Sequence, residues 1–249
     1  MKKFLTILTV FIVMAVLSTA IITVFAGQVT RDGTGSITFR SDTQILPPPT
    51  VDPTSPTLPT WPTGPTAPPT PPPGWGDIGL EGHNLNFGSR MLGGSGTPGG
   101  DMFKTTDQVG DATLDSSVHV DGIPPRERFM DIVVYNMSVD DYGLTASRTP
   151  FTAGTSSMTD VHAEFSLDID TFQEYIAGGT VTQTPTSNLA GNNIVIPATG
   201  GAIHVITDIP PRSWVGARWS GALRMIDWTD VVGSLYTTTI TWTLVTPSP

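Results

Sequence analysis

Four histidines (His83, His119, His162 and His204) and several closely spaced carboxylates are the side chains with the means to hold a metal or move a proton. Their spacing argues against both. No two histidines stand as H-x-x-x-H, and three of the four fall in alternating strand patterns, so no zinc site is expected. Asp140-Asp141 and Asp168-Ile169-Asp170 lack the glycine and closing glutamate of a calcium loop and read as solvated turn residues. Gly93 to Gly100 (GGSGTPGG) carries no lysine to meet a phosphate and reads as a connection. Neither Ser-x-x-Lys nor Gly-x-Ser-x-Gly occurs, so no serine nucleophile is marked. The 22 acids hold no pair set apart as a glycosidase would need. Absence of cysteine removes thiol catalysis, disulfides, cysteine-ligated metals and a lipoprotein attachment site. The expectation is a protein that is not an enzyme, with no catalytic residue, metal or cofactor.

The elements around these residues begin with a leader. Lys2 and Lys3 precede Phe4 to Ala26, an uncharged apolar run that has the form of a secretory signal. Cleavage after Ala26 is preferred to cleavage after Ala20, because the polar chain starts at Gly27. A retained anchor is the alternative reading, since about 20 apolar residues can span a bilayer. No second run of that length follows, so the mature chain is expected outside the cell with no membrane span. Without Lys2 and Lys3, 10 basic residues face 22 acids, a net charge of about −12. Such a surface repels phosphate backbones and anionic lipids, which excludes nucleic acid as an expected partner.

Residues 27–46 hold one short strand around GTGSITF, with Ile37 and Phe39 alternating with Thr38. This strand is expected to fold back as an edge strand on the following domain, because a free tail gains nothing from Ile and Phe. Residues 47–76 are a Pro/Thr-rich spacer. Proline fixes φ and donates no hydrogen bond, so the run from Pro47 to Pro73 is read as disordered and extended, with a reach on the order of 80 Å. A ligand for a proline-recognition module is its functional alternative. Residues 77–249 read as a two-sheet antiparallel β-sandwich. Val161–Asp170 alternates as a half-buried strand, and Leu235–Val245 is rich in β-branched and aromatic residues. Ile132–Ser138, Tyr142–Ser147, Asn193–Ile196, Ile203–Thr207 and Ala222–Trp228 are further strands, and Phe172–Ile176 is read as a single helical turn.

Read in order, these segments resemble the WxL family of Gram-positive bacterial surface proteins. The resemblance rests on Gly35-Ser36-Ile37-Thr38-Phe39, the spacer, Asn84-Leu85-Asn86-Phe87-Gly88-Ser89, and the closing Thr237-Thr238-Thr239-Ile240-Thr241-Trp242-Thr243-Leu244. An internal W-x-L of the family is matched by Tyr142-Gly143-Leu144, with Tyr in place of Trp. The resemblance implies a secreted protein held non-covalently on peptidoglycan or another cell-wall polymer, in an assembly with a WxL-interacting surface protein. Trp242, Thr243, Leu244, Tyr142, Gly143 and Leu144 are the implied binding residues, and their two strands are expected side by side. The rings of Trp242 and Tyr142 can stack on sugars or fill a partner's pocket, and Thr241 and Thr243 offer hydroxyls on the opposite face. Trp242 reads equally as a core residue, because Ile240 and Leu244 share its face. An adhesin or carbohydrate-binding module for host or plant polysaccharide is the alternative function, and a secreted hydrolase a more distant one.

Overall fold

The computed structural model describes residues 29–40, 78–81, 84–92, 102–106, 128–136, 139–176 and 190–245. The leader, the spacer, His83 and His119 lie outside them. The secondary structure of the described residues is entirely β, and none of their helices is long and apolar enough to cross a membrane, since they contain none.

One sheet, here sheet A, takes its shape from the alternation in β13 (Leu235–Val245): Tyr236, Ile240 and Trp242 are fully buried on one side while Leu235 and Thr237 are exposed on the other. Its strand order is β11 (Ile203–Ile209), β6 (Tyr142–Arg148), β13, β1 (Val29–Arg40) and β3 (Asn84–Met91). A short hairpin, β7 (Phe151–Ala153) with β8 (Ser156–Met158), continues beside β13 beyond the end of β6. Sheet A is mixed rather than wholly antiparallel, because β1 runs antiparallel to β13 and parallel to β3.

The strand around Ile37–Phe39 does fold onto the domain, but as an interior strand and not at an edge. It is longer than GTGSITF and has neighbours on both sides, so Ile37 and Phe39 are fully buried. Gly35 makes the insertion possible. A Cβ there would meet the Thr238 methyl at 2.8 Å and the Phe151 ring at 3.5 Å. The outer strand β3 then carries a bulge: Ser36 and Thr38 on β1 span Asn86 to Ser89 on β3. Gly88 takes the left-handed φ of 74° that the extra residue needs, and its N–H donates to Asn86 Oδ1 at 2.8 Å. The bulge brings Arg90 to the inner face opposite Phe39, where its guanidinium lies 5.0 Å over the Phe103 ring.

The facing sheet, sheet B, is antiparallel in the order β10 (Ile194–Val195), β9 (Ala163–Ile176), β12 (Ser213–Met225), β5 (Phe129–Asn136) and β2 (Ile78–Glu81). A short strand, β4 (Met102–Lys104), pairs with β12 beyond the end of β5. The expected helical turn at Phe172–Ile176 is instead the second half of β9. Five residues cannot repay helix nucleation, whereas the edge of β12 offers each of them a ladder partner. A register shift opposite Arg218/Trp219 resets the alternation, and Phe172 and Glu174 are then buried opposite Ala217 and Val215.

Between the sheets, Phe87, Phe151 and Phe165 meet edge to face with centroids 6.2–6.3 Å apart, and Trp219 lies 5.9 Å from Trp242. Arg148 sits among them as a buried cation. Its guanidinium lies 5.6 Å over both Phe151 and Phe165, its Nε donates to the Ile196 carbonyl at 2.7 Å, and Nη2 pairs with Asp160 at 2.9 Å. Burial pulls the Arg148 pKa down to about 10 against the raising effect of Asp160. For Asp160, burial pushes the pKa upward. The Ala198 and Thr199 N–H groups, the Thr199 hydroxyl and the Arg148 charge outweigh it and leave the carboxyl below its usual 3.8. A carboxyl held lower in the folded than in the unfolded chain stabilises the fold above its unfolded value and loses that contribution as pH falls through the folded one. The Asp160→Asn variant is therefore expected to lose about 1–3 kcal/mol at neutral pH by leaving the cation without its counterion. Its deficit against the parent should shrink as pH drops below 3.8, and urea denaturation from pH 7 to pH 2.5 measures both.

Candidate functional site

The two aromatic-x-Leu segments lie on neighbouring strands. β13 pairs antiparallel with β6, with Leu244 opposite Leu144, Thr243 opposite Thr145 and Trp242 opposite Ala146. Their apolar residues face the other sheet. Trp242 is fully buried and its indole N–H donates to Met130 Sδ at 3.0 Å, while Leu144 and Leu244 are buried as register partners. Tyr142 is half-buried on the same face, packed against the core at the far end of the pair, opposite Ile209. Antiparallel pairing puts the two leucines between the rings, which places the rings about 13 Å apart along the strands. The six expected binding residues are thus close in the fold. Four of them, Trp242, Leu244, Tyr142 and Leu144, are packing residues that fix which way the strands face.

The residues between them lie on the outer face but are themselves covered: Gly143, Thr145 and Thr243 are buried. Gly143 lies under the His204 ring and Val245, since a Cβ there would meet His204 Nδ1 at 3.2 Å and Val245 Cγ2 at 3.3 Å. Thr243 and Thr145 are opposed on the outer face, and the Thr145 hydroxyl donates to the Thr243 carbonyl at 3.2 Å. With β1 on the other side of β13, hydroxyls line up in rows across three strands. Thr30, Thr243 and Thr145 form one row; Asp32, Thr241 and Ser147 the next. Thr34 and Thr239 follow, then Ser36, Thr237 and Thr152, with Asn84 and Asn86 at the matching positions of β3. Rows in a sheet are about 6.8 Å apart and strands about 4.8 Å apart, so the outer face is a grid of hydroxyls. Thr30, Thr34 and Thr237 are exposed, and Ser36, Thr239, Thr241 and Ser147 are half-buried.

Charge is sparse here. Among the outward positions of β1, β13 and β6 only Asp32 and Arg40 are acidic or basic residues, and Asp32 accepts the Thr241 hydroxyl at 2.7 Å. The outer face of sheet B differs. There Arg218 grips both oxygens of Asp131 at 2.7 Å over the Phe129 ring, and Arg224 pairs with Glu164 at 3.0 Å. The hydroxyl face could have been read from period-two hydroxyls in two segments, Thr30 to Ser36 and Thr237 to Thr243. Only the pairing of those segments reveals that they make one surface.

Among the described residues no group of three or more His, Asp or Glu side chains is placed to hold a metal ion. His204 stands exposed opposite Thr145, and His162 takes the Thr159 N–H on Nδ1 at 3.2 Å. Comparison with family models, with curated proteins and with solved structures finds no match to this chain.

The core placement of Trp242 has a direct consequence. Trp242→Ala is expected to cost roughly 3–5 kcal/mol, as truncation of a buried tryptophan does. Thr241→Val, on the opposite face of the same strand, should lower stability by about 1 kcal/mol or less. Thermal denaturation followed by circular dichroism separates them, and equal losses would contradict the assigned faces.

Proposed function

We propose that this chain is a secreted bacterial surface protein that attaches non-covalently to the cell wall, and that the hydroxyl face of sheet A is its contact with the wall glycan. The observation that carries the reading is the cross-strand grid of threonine and serine beside the two aromatic-x-Leu strands. Each hydroxyl both donates and accepts, which matches the hydroxyls of a sugar polymer, while the threonine methyls offer small apolar contacts to sugar carbons. Single contacts of this type contribute about 0.5–1.5 kcal/mol. Many repeated along a polymer hold a protein that no single one would retain. The sparse charge suits an uncharged polymer better than a phosphate-rich one. The resemblance to the WxL family adds the surroundings: peptidoglycan as the wall component and a WxL-interacting surface protein as a companion in the assembly.

The reading predicts that Thr34→Val, Thr239→Val and Thr241→Val together leave the fold intact and weaken retention on purified wall sacculi. Three hydrogen bonds at about 1 kcal/mol each correspond to roughly a hundredfold in Kd. A sacculus pull-down beside a thermal melt measures both properties. Undiminished retention of a folded triple variant would refute the assignment of the face. Retention on soluble host or plant polysaccharides in preference to sacculi would favour the adhesin reading.

A further inference from the structure

β1 is the first described strand of the chain, yet it occupies an interior place in sheet A, between β13 and β3. Register partners on β13 run from Val29↔Leu244 to Thr38↔Leu235, and on β3 from Thr34↔Asn84 to Arg40↔Met91. Without β1 the sheet would have a slot floored by the core that Ile37 and Phe39 now fill, with the unpaired edge of β13 on one side and β3, which pairs with β1 alone among the described strands, on the other. Unpaired edges of this type are templates for an incoming strand. The slot is cut to one sequence: glycine is required where Thr238 and Phe151 close in on position 35, and Phe39 is enclosed by Phe103, Trp228 and Tyr236 with centroids 5.2–6.2 Å away.

The rest of the chain does little to reserve that slot for its own β1. Residues 41–77 join β1 to β2, and 13 of these 37 residues are proline. A linker favours its own closure most when its average reach matches the gap, and the advantage falls as the linker becomes longer or stiffer. Nothing else in the topology is threaded through β1, so transferring it to a neighbour leaves every other strand pairing intact. Exchange of an identical element is a low-cost route to assembly.

We propose that β1 is an exchangeable strand, and that on a crowded surface the β1 of one copy completes sheet A of the next, linking copies of this chain head to tail. The occupant is a second copy, because the second copy carries the Gly-x-Ile-x-Phe that the slot fits. The exchanged β1 brings Thr30, Asp32 and Thr34 with it, so the hydroxyl face is complete wherever a β1, a chain's own or a neighbour's, is in place. The strand exchange itself does not depend on what that face binds.

The absence of native cysteine makes a clean test available. Ser36 and Thr237 are register partners with outward side chains, so Ser36→Cys in one full-length chain and Thr237→Cys in another meet only across an exchanged β1. Thr241→Cys, four residues along β13, serves as the out-of-register control. The two variants are refolded together at high concentration, oxidised, and separated without reductant. Exchange predicts a Ser36→Cys/Thr237→Cys heterodimer at least tenfold above the Ser36→Cys/Thr241→Cys control. A heterodimer no greater than the control overturns the proposal. Light scattering of the unsubstituted chain gives an independent reading should a variant fail to fold. Refolding at high concentration should leave dimers and longer species that persist on dilution, and a purely monomeric chain under those conditions contradicts the exchange.

Discussion

The antiparallel ladder between β1 and β13 joins the first described strand to the last, and the other features of sheet A follow from it. Its hydrogen bonds set the phase of both strands. One phase sends Ile37, Phe39, Tyr236, Ile240 and Trp242 toward sheet B, and the other lines up Thr30, Thr34, Ser36, Thr237, Thr239 and Thr241 outside. A slip by one residue in either strand would reverse both sets, so the core and the outer grid are specified together. The aromatic-x-Leu segments matter here chiefly through Trp242 and Leu144, which are fully buried in the inner set, and their contribution to the surface is indirect.

The inner set tolerates two buried arginines because each finds hydrogen-bond acceptors and aromatic faces where it lies, although Arg90 Nη1 has no hydrogen-bond partner. Arg148 reaches the Ile196 carbonyl and Asp160 and is sandwiched by Phe151 and Phe165, while Arg90 donates to the Phe87 and Lys104 carbonyls and lies over Phe103. A buried charge without such partners costs several kcal/mol. Both arginines therefore fix partners as well as fill space: Arg148 ties β6 to the segment that follows β10, and Arg90 ties β3 to β4. These ties span segments far apart in sequence.

Much of this was legible from alternation alone. β13 and the first half of β9 each have one wet and one dry face, and their sequences show it. The strands that were misplaced or shortened have physical reasons. β12 was seen only from Ala222, because its residues from Ser213 are buried on both faces and a doubly buried strand has no period to read. β5 is buried on both faces as well, and its start at Phe129 lay before the expected one. The register shift hides the extension of β9 through Phe172, because it breaks the period just before the residues whose sequence reads as a helical turn. The interior position of β1 depends on a parallel partner, β3, whose bulge at Gly88 leaves no simple trace in either sequence. For the site, residue types gave the hydroxyls of Thr241 and Thr243, while the grid needed the pairing of segments some 200 residues apart.

The same ladder also gives the molecule a direction in which it resists tension. Val29 pairs with Leu244, so the start of β1 and the end of β13 leave the sheet side by side. A pull between those two ends would open the rungs one after another, as a zipper opens. Arg40, where residues 41–77 begin, lies at the opposite end of β1. A pull between Arg40 and the end of β13 would slide the strands lengthwise and load all the rungs at once, because ladder hydrogen bonds run across the strands. Tension applied between the proline-rich segment and the end of β13 would therefore meet the ladder in shear, the geometry in which a set of weak bonds shares a mechanical load.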